Sequence, residues 1–453
     1  MAEGRPGFLE RRDCFSERPR GICPVCFRVI PGVIREATVG LLMEKTCPDH
    51  GLFQANISTD LQRYKALCLS ERKVTRPLIQ GSPPDRGCPD DCGLCPSHEQ
   101  HTCLAILEIT SRCDLNCPVC LAAAGPLGED LSPIRIEYAL KRLMDYEGAL
   151  TPIQISGGEP TLHPRLIDIV KTIRSLGGCG IELDTNGLAL GRGQGLAERL
   201  VEAGLSSVYL QMDTLDPIVS EYLRGKDLVE TKLQAIENCL KAGLEVVLSV
   251  TVAPGINDRD IWKMVEFGRE RRLTGVNFQA VTLTGRYPDE VGKRETRFTS
   301  GHFSKEIRKQ SGGLLHEEDL TPIPCPDPRC GLICYCLIHD GSLLPLTRLL
   351  EKNQLIDCLA DLKDWPQTLR HIGLPFGGPC CGRMEGPRLD ALTKILPRSE
   401  FFSIGFHAMM DAYCLDLDRV RRCCVHELTS EGKLVPFCLY NTKYRRRPLA
   451  LAP

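Results

Sequence analysis

No apolar run in this 453-residue chain approaches the roughly 18 residues that a membrane-spanning helix needs. The opening, MAEGRPGFLERRD, lacks the charged-then-apolar pattern of a secretory leader, so the sequence predicts a cytoplasmic protein. An excess of one charge is missing too. The formal net charge of −2 argues against nucleic acid as a partner and gives an anionic membrane no overall field to act on. There is no fixed-period repeat and no low-complexity tract. With 42% hydrophobic and 25% charged residues, the chain is not disordered throughout, collagen-like or a coiled coil. What it has in abundance is cysteine, 25 residues in all. Disulfides are rare in a reducing compartment, so so many thiols point to metal centres.

The cysteines divide the chain. Four lie in the first fifty residues, seven between 88 and 120, two between 121 and 324, and eleven from Cys325 onward, with Cys68 standing alone. The cysteine-poor middle alternates apolar, often β-branched runs (104–109, 153–155, 181–183, 207–212, 246–252, 276–281) with helix-period segments (134–146, 165–176, 196–203, 227–242, 258–272). Ser132–Pro133 and Asn257–Asp258 read as helix starts. Repeated strand–helix units predict an α/β fold with parallel strands and right-handed crossovers, an open sheet or a barrel. Chemistry then belongs at the C-terminal ends of the strands. The expected divisions are a small metal-stapled domain at 1–80, a cysteine-rich loop at 81–103, an α/β core at 104–300 and a cysteine-rich C-terminal domain at 301–453.

Directly after the first core strand stands Cys113-x3-Cys117-x2-Cys120. Three thiolates on one loop can hold three irons of a [4Fe–4S] cluster and leave the fourth open to a small molecule. A zinc site or unrelated buried thiols are the plain alternatives. Gly157-Gly158-Glu159-Pro160 follows the second strand. Glycines allow close backbone approach, and Glu159 can accept from an ammonium. Asn186 ends the third strand, Gln211 and Asp213 end the fourth, and Ser249 lies in the fifth. Each is a candidate ligand contact or an ordinary solvated strand end.

In this order the motifs resemble the radical S-adenosylmethionine (AdoMet) superfamily over about 104–285. The resemblance implies a partial (β/α)6 barrel. It implies a [4Fe–4S] cluster on Cys113, Cys117 and Cys120, and AdoMet held by Gly157, Gly158, Glu159 and the polar strand ends. It further implies reductive cleavage of AdoMet to a 5′-deoxyadenosyl radical that removes hydrogen from an unactivated C–H bond. Val119 departs from the family, which usually has an aromatic residue before the third cysteine.

Flanking cysteines predict further centres. Cys23, Cys26, Cys47 and His50 form two knuckles fit for a mononuclear zinc or rubredoxin-like iron, with Cys14 as an alternative to His50. Cys88, Cys92, Cys95 and Cys103 have the spacing of an auxiliary iron–sulfur cluster, with His98 and His101 read as loop residues. Cys325, Cys330, Cys334, Cys336, Cys380, Cys381, Cys414, Cys423, Cys424 and Cys438 suffice for at least one more, with the grouping unreadable. Phrases such as Lys45 to Gly51, Phe278 to Val281 and Arg422 to His426 resemble the archaeal tetraether lipid synthase group, which includes members described as pterin methylases. That resemblance implies C–C coupling of lipid tails as the leading expectation. Methylation or other C–H functionalisation of a pterin-like or peptide substrate is the second. A non-catalytic iron–sulfur electron carrier is the alternative from another class, and Gly157 to Glu159 argue against it. A ferredoxin or flavodoxin is the expected electron donor. The closing Lys443 to Arg447 would allow peripheral contact with anionic headgroups, or form a solvated tail.

Overall fold

The computed structural model describes residues 16–348 and 399–445, apart from 39, 71–73, 82, 84, 179, 194, 290–296 and 340. Cys14, Cys179, Cys358, Cys380, Cys381, Arg446 and Arg447 lie outside the described residues.

Near the N-terminus, strands β1 (Val29–Ala37), β2 (Gly40–Cys47) and β3 (Gly51–Ser58) form an antiparallel ribbon. Alternation of buried and exposed residues along β2 marks a sheet with one covered face. Lys45 is 1% exposed, and its Nζ donates to the carbonyls of Ile22 at 3.0 Å and Ala412 at 2.6 Å. A buried lysine thereby docks the ribbon onto the C-terminal part of the chain.

The core is the expected barrel. Strands β4 (Leu104–Thr110), β5 (Ile153–Gly157), β6 (Ile181–Thr185), β7 (Ser207–Gln211), β8 (Glu245–Val252) and β9 (Gly275–Ala280) pair in parallel in that order. Their apolar residues are almost all buried, as expected of parallel strands covered by helices. Helix α1 (Pro133–Glu147) opens on proline and ends at Gly148, whose φ of +79° suits only a residue without a Cβ. Its Ile136, Leu140 and Leu143 recur at helical spacing and are buried, each contributing ~1.5–3 kcal/mol of apolar burial. The predicted helices at 165–176, 196–203 and 227–242 form at Leu166–Ser175, Leu196–Ala203 and Val229–Ala242. The last begins at Ile261, beyond Asn257–Asp258. The Asn257 side chain is instead spent on the backbone of Ala253, Thr251 and Asp213, which ties the turn after β8 to the end of β7.

The division expected near residue 300 does not separate two sheets. Strand β11 (Ser399–His407) pairs in parallel with β9, and β10 (Gly331–His339) pairs antiparallel with β11. On the opposite flank β12 (Val425–Leu428) pairs in parallel with β4. A six-stranded open array would expose two unpaired edges, and the C-terminal strands cover both.

Candidate active site and metal centres

The cluster loop leaves β4 at the C-terminal end of the barrel. Cys113 and Cys117 are buried and Cys120 half-buried, and all three fall in one packed group with Leu115, Ala124, Leu188 and Leu228. Burial pushes the Cys113 thiol up to about 12 and raises Cys117. Asn186 Nδ2 donates to Asp114 Oδ1 at 2.8 Å and lies 3.9 Å from Cys113 Sγ.

The two glycines after β5 answer a crowding inside the protein. Gly157 has φ +141°, and a Cβ there would lie 2.1 Å from the Thr110 carbonyl oxygen; at Gly158 it would lie 2.3 Å from that of Arg112. The motif backs directly onto the strand that delivers the cluster loop. Glu159 is 1% exposed. Its Oε1 accepts from the Thr161 amide and hydroxyl and from Thr185 Oγ1, and its Oε2 accepts from the Asn186 amide at 2.7 Å. Burial still pushes its carboxyl up to about 7. An ionised carboxylate has about four acceptor sites, so Oε2 retains a lone pair for a cation.

Gln211 and Asp213 are spoken for by the protein. Asp213 takes a two-point ion pair from Arg224, and Gln211 is hydrogen-bonded to Asp213 and Lys232. Arg224 also donates to the Val119 carbonyl at 2.8 Å, so the network braces the cluster loop from behind. Val119 itself packs against Leu223, Ala253 and Val281. Ser249 accepts weakly from Gln279 at 3.4 Å and faces the central cavity. Arg286 exchanges two backbone hydrogen bonds with Cys120. Its side chain donates to the carbonyls of Cys117 and Ala124.

Beneath the loop lies a cavity of about 370 Å³ that follows the barrel interior. Its wall includes Cys120 and Gly157 at one end and the carboxyl groups of Glu108, Glu182, Asp184, Glu245 and Glu427 deeper in. Cys330, Cys423 and Cys438 open onto it as well. Their charges act on one another, so the three sulfurs form one neighbourhood, and burial pushes Cys438 up to about 12.

The remaining cysteines regroup. Cys23, Cys26, Cys47 and His50 place their ligand atoms within 4.8 Å of one another, the spacing of a tetrahedral ion. Cys88, Cys92 and Cys95 interact with one another, but Cys103 does not join them. It sits at the mouth of β4, where its amide donates to the Cys424 carbonyl, and it packs in the core with Cys325 and Cys424. Cys334 and Cys336 face each other at 3.5 Å on β10. His101, read as a loop residue, lies 3.2 Å from Cys103 Sγ, and His98 is buried against His426. Within the basic tail, Lys443 bonds Asp90, and Arg445 bonds Glu108.

These features agree with the comparisons. The family model for the radical SAM superfamily matches residues 107–268, and that for the HMPTM N-terminal zinc ribbon domain matches 15–59. The chain is 32% identical over 486 aligned residues to 7,8-dihydro-6-hydroxymethylpterin dimethyltransferase of Methanocaldococcus jannaschii, covering 95% of this chain and 94% of that one. It is 33% identical over 271 residues to a probable GTP 3′,8-cyclase of Methanothermobacter marburgensis, covering 55% of this chain and 85% of the cyclase. Among solved structures, Streptococcus suis SuiB bound to S-adenosylmethionine aligns at TM-score 0.36 and 16% identity, covering 48% of this chain and 47%, about half, of that one. Membership of the superfamily implies a [4Fe–4S] cluster and AdoMet. A likeness that runs from the ribbon through the barrel to the C-terminal cysteines leaves one conclusion: the chain belongs to the radical SAM superfamily, is an enzyme of it, and falls in the pterin-methylase-like group.

Proposed function

We propose that this enzyme functionalises a carbon of a reduced pterin, by methyl transfer, at the end of the cavity beneath Cys120. The observation that carries the reading is the cavity wall. Glu182 is buried and Asp184 and Glu245 are half-buried, none of them in an ion pair among the described residues, and desolvation raises Glu182 and pushes Asp184 up to about 7 and Glu245 up to about 8. An alkyl tail laid against them would strip their remaining solvation and return no hydrogen bond, at ~1–3 kcal/mol per group. A polar heterocycle can return a hydrogen bond to such a wall, at Asp184 above all. The joining of lipid tails, the leading expectation from the sequence, gains nothing from such a wall. The pterin dimethyltransferase likeness over 95% of the chain supports the same choice. The pterin named for that relative and the guanine of GTP share a 2-amino-4-oxopyrimidine edge.

In this reading Cys113, Cys117 and Cys120 hold the catalytic cluster, which when bound supplies one-electron cleavage of AdoMet to a 5′-deoxyadenosyl radical. Glu159 Oε2 accepts from the AdoMet ammonium, with Gly157, Gln211 and Ser249 in the cavity wall and Gly158 and Asn186 flanking Glu159. Arg224 and Asp213 hold the loop, and Arg286 closes it over the cavity. Cys330, Cys423 and Cys438 hold an auxiliary cluster facing the substrate, Cys88, Cys92 and Cys95 serve a second, and zinc occupies Cys23, Cys26, Cys47 and His50. A small one-electron carrier of the ferredoxin or flavodoxin class supplies the electron. Among the described residues no helix is long and apolar enough to cross a membrane.

The test is an anaerobic assay of the reconstituted enzyme with reductant, AdoMet and 6-hydroxymethyl-7,8-dihydropterin. The expected product is a methylated pterin, with 5′-deoxyadenosine formed alongside. Isotope label in the AdoMet methyl assigns the carbon source. Robust 5′-deoxyadenosine formation with the pterin recovered unchanged would reject the substrate and leave the enzyme class intact.

A further inference from the structure

Among the described residues five carboxyl groups line the cavity, and four of them are engaged or out of reach. Glu108 accepts from Tyr440 and pairs with Arg445, which also lies 3.8 Å from Glu427. Glu182 accepts from Gln154 Nε2 at 2.6 Å and from Ser207 Oγ at 3.4 Å. Glu245 is the first residue of β8, at the end of the barrel away from the cluster loop. Asp184 differs. Its Oδ2 accepts from Ser156 Oγ at 2.9 Å, and its Oδ1 has no hydrogen-bond partner among the described residues.

Its depth is informative. Asp184 precedes by one residue Thr185 and by two Asn186, the residues that hold Glu159. Two residues of strand are ~6.6 Å, about the length of a fused two-ring heterocycle. On the neighbouring strands Glu108 is in register with Ser156, and Asp184 with Tyr209, so these side chains form one polar row across β4 to β7. Tyr209 is fixed from its far side, where its hydroxyl accepts from Asn277 and Gln279 at 2.6 Å each.

We propose that Asp184 is the specificity residue of this site, accepting the paired N–H groups of a 2-amino-4-oxopyrimidine ring fused to the reacting ring. Ser156 is its positioning residue. The inference rests on the proposed pterin reading and deepens it. The ring N3–H and the 2-amino N–H point the same way, and a carboxylate accepts both at once. Anchored there, the bicycle reaches up the barrel so that its far ring lies at the level of Glu159 and Cys120. Desolvation pushes the Asp184 carboxyl up to about 7, and a two-donor edge would favour its ionised form.

The experiment uses the full-length reconstituted enzyme with AdoMet. It compares binding of 6-hydroxymethyl-7,8-dihydropterin with that of its 2-oxo counterpart, the corresponding dihydrolumazine. Wild type should prefer the amino compound. Asp184→Asn turns an acceptor–acceptor edge into an acceptor–donor edge, which matches the 2-oxo ring. The variant should lose ~10–100-fold in pterin affinity and gain affinity for the lumazine, inverting the preference. A gain of binding cannot come from misfolding. Ser156→Ala should weaken both ligands by a smaller factor and keep the wild-type preference. Wild-type pterin affinity in the Asn variant would overturn the assignment of Asp184 and leave the pterin reading in place. Failure of wild type to bind either compound would overturn both.

Discussion

Arg224 and Asp213 meet fork to fork, Nε to Oδ2 at 2.6 Å and Nη2 to Oδ1 at 2.8 Å, behind the loop that carries Cys113, Cys117 and Cys120. Burial alone would raise the Asp213 carboxyl, yet the Arg224 charge holds it below the usual carboxylate range. The same guanidinium reaches the Val119 carbonyl and Thr251 Oγ1. Removing Arg224 would therefore strand a buried carboxylate and unpin the residue before Cys120. Arg224→Ala should cost ~3–5 kcal/mol and lower the thermal midpoint of the reconstituted protein. Arg224→Lys, which keeps the charge and loses the fork, should fall between. A midpoint in the alanine variant equal to wild type would show that the pair does not brace the fold.

The two cysteine groups that border the cavity should separate chemically. Cys113→Ala removes a ligand of the AdoMet-binding cluster, so it should lose roughly four irons and abolish 5′-deoxyadenosine formation with dithionite. Cys330→Ala should also lower the iron content but still cleave AdoMet, without forming a pterin product. Iron analysis and product chromatography on the two variants make the comparison. Equal loss of AdoMet cleavage in both would mean that Cys330 serves the catalytic cluster after all.

What the sequence made legible was local. Cys113 to Cys120 and Gly157 to Glu159 lie next to strands whose apolar runs announce themselves, so the barrel and the cluster loop follow from short-range pattern. The ribbon ligands were legible for the same reason. Pairings across most of the chain were not. Cys103 looks like the fourth member of the Cys88 group by spacing, but the parallel pairing of β12 with β4 carries it to Cys424. Ile181, Glu182, Leu183 and Asp184 alternate, which puts the two acids on one face, but neither acid is among the site residues expected from the sequence. Nothing in one strand says that this face borders a cavity rather than solvent. The same holds for Lys443 and Arg445, which read as a basic tail and bond Asp90 and Glu108.

Glu159 gives a pH signature. Burial pushes its carboxyl up to about 7, while a bound ammonium favours the ionised form. Below that pH the free enzyme must release a proton before AdoMet binds. Affinity for AdoMet should therefore fall as pH drops below about 7, approaching tenfold per pH unit, and level off above it. Glu159→Gln should bind AdoMet weakly with a flat profile over the same range. Isothermal titration in buffers of different ionisation enthalpy would detect the released proton directly. A wild-type profile that is flat from about pH 5.5 to 8 would remove Glu159 from the ammonium site.

The ribbon should act as a separable staple. Its four candidate ligands are already gathered within 4.8 Å, and its contacts to the C-terminal part include Lys45 with Ala412 and Phe53 with Tyr413. Cys47→Ser should then release one metal equivalent, identified as zinc by mass spectrometry, and leave the cluster irons in place. His50→Cys should retain the ion, because a fourth thiolate suits the same tetrahedral geometry. The fold should loosen locally first. The ribbon is small, so its strands depend on the metal, and amide exchange should rise over 29–58 in Cys47→Ser before it rises in the barrel strands. Loosening should also reach the segment around Ala412, since Lys45 Nζ bridges its carbonyl to that of Ile22. AdoMet cleavage by this variant should persist at a rate close to wild type, because none of the ribbon's ligands borders the cavity. Loss of cluster iron together with the zinc would mean instead that the ribbon and barrel fold as one cooperative unit.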